Sequence, residues 1–474
     1  MQQLSGLDTV FLNLETNAVP MHVGGLVILE APPKDEEDGG FSRIRNHIES
    51  RLDQIPPLRR RLLTAPLELD HPFWIEDPDF DVEHHVRHRA LPSPGDDKAV
   101  SDLVCELAST RLDRNLPLWE IHYVEGLKGG RVATVTKMHH AAIDGISGAE
   151  ILGNFLDLSP TPRKFPPPAK PWEPDDIPSL ISMLSRTTRG LLGRPGKTIK
   201  AVRETLPVLF SAGRAVLERR KLQQKGEETG NIAGIAPRTR FNRQITARRS
   251  FAFGSLPLDQ LKVIKNAFKA TVNDVVMAIC AEALRNYLSE KNELPEKPLV
   301  TGVPMSTRSA EQKGQGGNQV IFLRASLHTD EPDPVERLRK ISHEMSGVKE
   351  RQRAVPASLM GDWAQLPAPA LMARAARLYE NFQIQNYHTP AFNLVISNVP
   401  GPPVPLYFAG LKVLNNYPIS IPFHGAAFNI TLMSYCGKLD YGLIADRDTM
   451  PDIKHFSDLM QAALATLVQR AGAV

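Results

Sequence analysis

A chain of 474 residues is too long for one ordinary hydrophobic core and predicts two or three domains. Its composition, 42% hydrophobic and 23% charged, is typical of globular proteins, and a net charge of +3 gives no general attraction to nucleic acid. The three cysteines, Cys105, Cys280 and Cys436, lie far apart, which disfavours disulfides and structural zinc and predicts a reducing, cytoplasmic location. The N-terminus lacks a basic stretch followed by an apolar one, so we expect no signal peptide. No apolar run approaches the ~20 residues that a membrane-spanning helix needs, so we expect no such helix.

The first 160 residues are predicted to form a mixed α/β unit. Alternating and β-branched residues indicate strands, and apolar residues at helical spacing indicate helices. In chain order, the predicted elements are a strand at 21–30, a helix at 41–52, a strand with long loops within 71–94, a helix at 100–112, and strands at 119–125 and 132–137. Strands that alternate with helices are typical of a layered α/β architecture.

The most informative segment follows the last of these strands and reads His139-His140-Ala141-Ala142-Ile143-Asp144-Gly145. An imidazole at a strand end can act as a base near neutral pH, because its unperturbed pKa is about 6.5. Asp144 is close enough in sequence to help fix the turn, and Gly145, which has no Cβ, lets backbone and substrate approach closely. These residues alone are equally compatible with two structural histidines and an Asp144 cap on the next helix.

A change of composition after residue 160 indicates a connector that extends to residue 249. Residues 159–178 contain eight prolines, which favour an extended and semi-rigid chain. Residues 181–225 mix apolar and basic side chains and predict two broken amphipathic helices. Such helices either lie on an anionic membrane or lipid surface, or pack across the two domains with a solvated basic face. Residues 226–240 are predicted to form a loose, glycine-rich loop.

The second unit, residues 250–474, is again predicted to mix helices and strands. The predicted helices are at 256–269, 270–289, 336–351, 370–379 and 453–471. The predicted strands are at 299–304, 319–327, 392–397, 412–417, 427–435 and 439–444.

Four short motifs lie at the ends of predicted elements. Pro117-Leu118-Trp119-Glu120 begins the strand expected beside the histidines. Asn273-Asp274 lies at a helix start, and Pro304-Met305-Ser306-Thr307-Arg308 ends a strand with two hydroxyls and a guanidinium. Ser397-Asn398-Val399-Pro400-Gly401-Pro402 is predicted to form a tight turn that exposes the Asn398 amide.

Taken together, these motifs resemble the bacterial wax ester synthase/diacylglycerol acyltransferase family, within the superfamily of CoA-dependent acyltransferases that includes condensation domains of peptide synthetases. The resemblance extends from the opening Leu4-Ser5-Gly6-Leu7-Asp8 to Ala445-Asp446 near the end. It implies an α/β (α+β) fold of two chloramphenicol-acetyltransferase-like halves, 1–160 and 250–474, joined through 161–249. The active site is then expected in a tunnel at their interface, reached by acyl-CoA from one side and by the acceptor alcohol from the other.

The resemblance also implies the reaction and the roles of the histidine segment. A long acyl chain would move from acyl-CoA, a substrate, to diacylglycerol or a fatty alcohol, with no cofactor, metal or covalent intermediate. His140 would be the base that takes the proton of the hydroxyl, and His139 would orient the turn or line the pocket. Asp144 would be largely structural, with Arg308 as its candidate partner.

The donor that stabilises the tetrahedral oxyanion is left open between a backbone N–H near Gly145 and the side chains of Asn273 and Ser306. Asp274 and Asn398 complete the predicted supporting set. Asn273 and Asp274 are equally well placed to cap a helix.

Two other functions stay open at this point. One is a carrier-protein-dependent condensation or polyketide-associated acyltransferase, which is disfavoured because we see no fused carrier or adenylation module. The other is a lipid-droplet-binding protein with a vestigial site, which is disfavoured by the complete histidine segment. The basic connector further predicts peripheral docking on the inner membrane leaflet or on lipid droplets. The preferred acceptor is not predicted.

Overall fold

The computed structural model describes residues 1–36, 38–64, 71–142, 148–166, 172–179, 182–183, 236–306, 320–353, 380, 383, 386 and 389–473. Within them the chain is a mixed α/β protein, as the sequence predicted, with a seven-stranded, a six-stranded and a small three-stranded sheet. The predicted helix at 370–379 lies outside the described residues, as do nearly all of the predicted basic helices and most of the predicted loop at 226–240.

Strands and helices follow one another along both halves of the chain. The strands are β1 (Gln2–Gln3), β2 (His22–Leu29), β3 (Arg60–Leu63), β4 (Phe73–Glu76), β5 (Val86–Ala90), β6 (Trp119–Glu125), β7 (Val132–His139), β8 (Leu156–Asp157), β9 (Arg249–Pro257), β10 (Val300–Ser306), β11 (Val320–Ser326), β12 (Leu394–Val399), β13 (Tyr407–Phe408), β14 (Leu411–Ile419), β15 (Phe428–Tyr435) and β16 (Lys438–Asp446). The α-helices are α1 (Gly6–Leu14), α2 (Phe41–Glu49), α3 (Asp97–Ser109), α4 (Gly148–Phe155), α5 (Leu258–Ala267), α6 (Val272–Glu290), α7 (Pro334–Arg353) and α8 (Ile453–Ala471). None of the helices in the described part of the chain is both long and apolar enough to span a membrane.

The first sheet has the strand order β5-β6-β7-β2-β14-β13-β8 and is antiparallel except for the pair β5–β6. Its central pair is β2–β7, in which His22 lies opposite His139. Gly24 permits this pairing, because a Cβ at that position would lie 1.7 Å from the carbonyl oxygen of Thr136. The strand that carries the histidines is therefore held in the interior of the sheet.

The second sheet has the order β11-β10-β12-β15-β16-β9, with β12 parallel to both of its neighbours. Helix α6 packs against this sheet and against α5, α7 and α8. Buried residues occur along almost its whole length, as expected for a helix with apolar residues on most of its sides. This core fixes the position of the N-terminus of α6, where the Asn273-Asp274 motif lies.

Strands β13 and β14 come from the second half of the sequence but complete the first sheet. β14 pairs with β2 through an irregularity near Asn415. Apolar side chains seal the junction, since Tyr417, Phe251 and Ile444 pack in one cluster with Val104 of α3. The predicted division at residues 160 and 249 counts β13 and β14 with the second unit, because it divides the chain by sequence position.

Most predicted elements are found close to their predicted bounds. Helix α1, strand β9 and the short strands β1, β3, β8 and β13 were not predicted. The predicted strand within 71–94 is two strands, β4 in the three-stranded sheet and β5 in the seven-stranded sheet. The helix predicted at 256–269 begins at Leu258, because Leu256 and Pro257 pair with β16 as the end of β9. The boundary between β9 and α5 is thus set by pairing with a strand far away in the sequence.

Candidate active site

The histidine turn begins where β7 ends. The β-branched residues of β7, such as Val132 and Val135, favour an extended strand, and His140 then starts a short 3₁₀ turn. The N–H of His139 donates to the carbonyl oxygen of Leu118 at 3.0 Å, and that of His140 donates to the carbonyl oxygen of Met21 at 2.8 Å. Segments on both sides of β7 therefore fix the backbone of the turn.

His139 is fully buried and uncharged. The N–H of Ala141 donates to its Nδ1 at 3.1 Å, so this nitrogen carries a lone pair and the ring proton is on Nε2. Burial, together with the charges of Arg114 and His140, lowers the pKa of His139 from 6.5 to about 3. A ring that stays neutral at physiological pH and is closed off from solvent supports the predicted orienting role.

A buried carboxylate faces the Nε2–H of His139. Glu15 Oε1 lies 3.6 Å from this nitrogen, and Glu15 Oε2 accepts hydrogen bonds from Nε and Nη2 of Arg114 at 2.9 and 2.7 Å. Arg114 also donates to the carbonyl oxygen of Leu12 at 2.6 Å. Sequence reasoning missed Glu15 and Arg114. No local pattern identifies Glu15, because it follows the last residue of α1 and has an extended backbone.

His140, by contrast, is only partly buried. Its ring lies against the ring of Phe11, with a centroid distance of 4.0 Å and an interplanar angle of 23°. One face of the imidazole is therefore covered by a hydrocarbon ring while part of the residue stays accessible. A base that must reach an acceptor hydroxyl needs this combination of fixed orientation and access.

The second half of the chain brings Asn273 and Asn398 together, since Nδ2 of Asn398 donates to Oδ1 of Asn273 at 3.4 Å. Asp274 has a capping role: it accepts from the N–H of Thr271 at 2.9 Å, and its own N–H donates to the Thr271 hydroxyl at 3.2 Å. The Ser342 hydroxyl of α7 also donates to Asp274, at 3.0 Å. This pattern is a capping box. The contacts of Asp274 are therefore those of a helix cap, the alternative role that the sequence offered for it.

The remaining predicted site residues are only partly covered by the structure. Asp144, Gly145 and Arg308 lie outside the described residues, and the proposed pairing of Asp144 with Arg308 stays a prediction. Ser306 is the last residue of β10, where it lies opposite Val320 of β11.

A group of basic side chains lies on the sheet face that carries His139. His22 and Lys137 border a narrow cavity between the first sheet, α3 and the second half of the chain, together with Arg249. Burial, and then Lys137, His139 and Arg249, lower the pKa of His22 well below its ordinary value. Arg249 donates to the carbonyl oxygen of Ala18 at 2.5 Å and so links the two halves.

The sequence model described as the wax ester synthase/diacylglycerol acyltransferase catalytic domain matches residues 4–276, and that of the WS/DGAT C-terminal domain matches residues 316–468. A putative diacylglycerol O-acyltransferase of Mycobacterium tuberculosis is 32% identical over 99% of this chain and 90% of its own length. The O-acyltransferase WSD of Acinetobacter baylyi is 33% identical over 96% of this chain and 94% of its own.

Solved structures agree with these sequence matches. The wax ester synthase/diacylglycerol acyltransferase of Marinobacter aquaeolei VT8 is 32% identical, with a TM-score of 0.70 over 99% of this chain and 100% of that chain. The starter condensation domain of rhizomide synthetase has a TM-score of 0.51 at 12% identity over 99% of this chain and 94% of its own, which shows a shared fold alone. The chain therefore belongs to the wax ester synthase/diacylglycerol acyltransferase family of O-acyltransferases.

Proposed function

We propose that this enzyme transfers a long-chain acyl group from acyl-CoA to the hydroxyl of diacylglycerol, of a fatty alcohol, or of both. Acyl-CoA is a substrate in this scheme, and no cofactor is needed because the thioester already activates the acyl carbon. The observation that carries the proposal is the partly exposed imidazole of His140, held at the end of a central strand and against Phe11.

We propose His140 as the general base. It removes the proton of the acceptor hydroxyl while that oxygen attacks the thioester carbonyl carbon, and a tetrahedral oxyanion forms. When the intermediate collapses, the carbon–sulfur bond breaks, and the proton passes from the imidazolium to the departing CoA thiolate. A well-placed base of this kind contributes about 100- to 10,000-fold to the rate.

Asn273 is one of three candidate donors to the oxyanion. Because its Oδ1 accepts the hydrogen bond from Asn398, its Nδ2 group is not used in that pair and is the atom that would donate to the oxyanion. Gly145 and Ser306 stay alternatives. A covalent route through a thiol is disfavoured at Cys105 and Cys280, because burial raises the pKa of each to about 12.

The test is an assay of the purified enzyme with one free acyl-CoA and both diacylglycerol and hexadecanol. We expect ester formation without any carrier protein, and a fall of at least about 100-fold in His140→Ala. His84→Ala is the matched control, since His84 belongs to another histidine doublet and is exposed; it should keep full activity. Undiminished turnover by His140→Ala would remove His140 as the base, and a strict need for a carrier protein would favour the condensation-type alternative.

We also propose that the basic connector, residues 181–225, docks the enzyme on anionic lipid. Its arginines and lysines motivate the idea. Flotation with anionic liposomes should weaken as salt shortens the screening length to about 10 Å and below. Flotation that is absent or independent of salt would leave the connector as a packing element between the halves.

A further inference from the structure

Helix α1 is the first described helix of the chain, and none of its side chains donates or accepts a proton in the proposed reaction. It begins at a defined residue, because the Ser5 hydroxyl accepts from the N–H of Asp8 at 3.2 Å and donates to its carboxylate at 2.6 Å. Its Thr9 hydroxyl lies 2.9 Å from Nδ1 of His71. The start of α1 is thus held by its own cap and by a neighbouring segment.

The far end of α1 is fixed as well. Arg114 binds the carbonyl oxygen of Leu12 and the carboxylate of Glu15, and it thereby ties the helix end to the segment before β6. Leu12 and Ala141 lie in the same apolar cluster, at 4% and 1% exposure. Helix α1 therefore packs directly on the histidine turn, and its position along the turn is determined at both ends.

Phe11 is the residue of α1 that reaches the reactive ring. It precedes Leu12, is only partly buried, and lies with its ring against the imidazole of His140. The backbone bond from His140 to Met21 fixes where the side chain starts but not how the ring is rotated. A near-parallel neighbour at 4.0 Å restricts that rotation, because aromatic pairs at such distances attract in specific geometries.

We infer that Phe11 is a positioning residue for the acyl transfer: its ring holds the imidazole of His140 in the orientation from which it takes the proton of the acceptor. The inference rests on the proposed role of His140. Phe11 has no acid–base chemistry of its own, so its loss changes how often the base is aligned. The effect is therefore expected in kcat and not in the binding of acyl-CoA.

The experiment compares Phe11→Leu, which keeps an apolar side chain without a flat face, with Phe11→Tyr, which keeps the ring. We expect kcat of Phe11→Leu to fall about tenfold, with an unchanged KM for acyl-CoA, and Phe11→Tyr to restore most of the activity. Phe11→Met, which is flexible and of similar volume, should behave like Phe11→Leu and serves as the second variant if that one folds poorly.

Phe41→Leu is the matched control. Phe41 is also partly buried and lies against His88, with a centroid distance of 4.7 Å and an interplanar angle of 6°. Removing this second phenylalanine–histidine stack should lower the thermal midpoint about as much as Phe11→Leu does and leave kcat unchanged.

Three outcomes overturn the inference. Normal kcat in Phe11→Leu beside an inactive His140→Ala rejects Phe11 and leaves the proposed function standing. A raised KM that Phe11→Tyr fails to restore makes Phe11 a substrate contact instead. An equal loss of kcat in Phe41→Leu reduces the effect to general stability. Undiminished activity of His140→Ala, in contrast, rejects the proposed base first and the inference with it.

Discussion

The first sheet carries two histidine doublets, His84-His85 before the edge strand β5 and His139-His140 at the end of the central strand β7, and in each one ring is buried. His85 Nδ1 lies 2.8 Å from the carbonyl oxygen of Trp119 and donates to it, while its ring stacks on the Trp119 indole at 4.5 Å. His139 Nδ1 instead accepts a backbone N–H, so the two buried rings carry their protons on opposite nitrogens.

The other histidines of the doublets differ in what surrounds them. His84 is exposed near Asp81, whereas His140 is partly buried and lies against Phe11. Burial of one histidine is thus common to both doublets and says little about function. The informative features are the neighbours brought in from distant segments, Glu15 and Phe11.

The largest expected difference comes from deleting each buried ring. His139→Ala and His85→Ala should each lower the free energy of unfolding by about 2–4 kcal/mol, since each leaves a cavity and an unpaired polar group. Only His139→Ala should also lower kcat, by about tenfold or more, because the adjacent base loses its support. Denaturant unfolding and steady-state kinetics measure the two effects, and an equal loss of kcat in His85→Ala would end the distinction.

The next effect is a dependence of stability on pH. The folded protein leaves His139 unprotonated until pH about 3, whereas the unfolded chain takes up that proton near 6.5. Lowering the pH from 6.5 therefore favours the unfolded chain, and stability rises again as the pH increases toward 6.5.

At pH 5 the contribution of His139 should be about 2 kcal/mol smaller than at pH 7. His139→Gln should remove that part of the pH dependence. His85→Gln should remove a component of the same sign, since burial lowers the pKa of His85 as well. Unfolding midpoints at the two pH values test this, and a pH dependence that is unaltered in His139→Gln would show that the ring is not held neutral.

The smallest expected effect concerns the carboxylates beside the doublets. Glu15→Gln keeps a carbonyl oxygen near the Nε2–H of His139 but removes the charge that binds Arg114, so we expect kcat to fall about threefold. Glu83→Gln is the control beside the other doublet, because Glu83 is exposed and pairs with Arg45 on the surface; it should have no effect on kcat. Equal kinetics of the two variants would remove Glu15 from the site.

Local sequence patterns predicted much of this framework. The alternation in residues 132–137 and 119–125 predicted two neighbouring strands, and in the structure Trp119 pairs with Met138. Trp119, at the start of the first of these strands, is 1% exposed, and its indole N–H donates to the carbonyl oxygen of Leu58. Helix α1 was missed because nine residues with polar neighbours give a weak periodic signal, and β9 was missed because its pairing partner, β16, lies at the other end of the second unit.

By itself, the sequence determined the family, the α/β composition and the strand that delivers His140, because motif residues and the alternation of a strand are properties of short continuous segments. The tertiary structure alone decided that β14 completes the first sheet, that Asn273 meets Asn398, and that Glu15 and Phe11 flank the two histidines. These contacts join segments far apart in the chain, and their formation depends on how whole helices and sheets bury their apolar faces against one another.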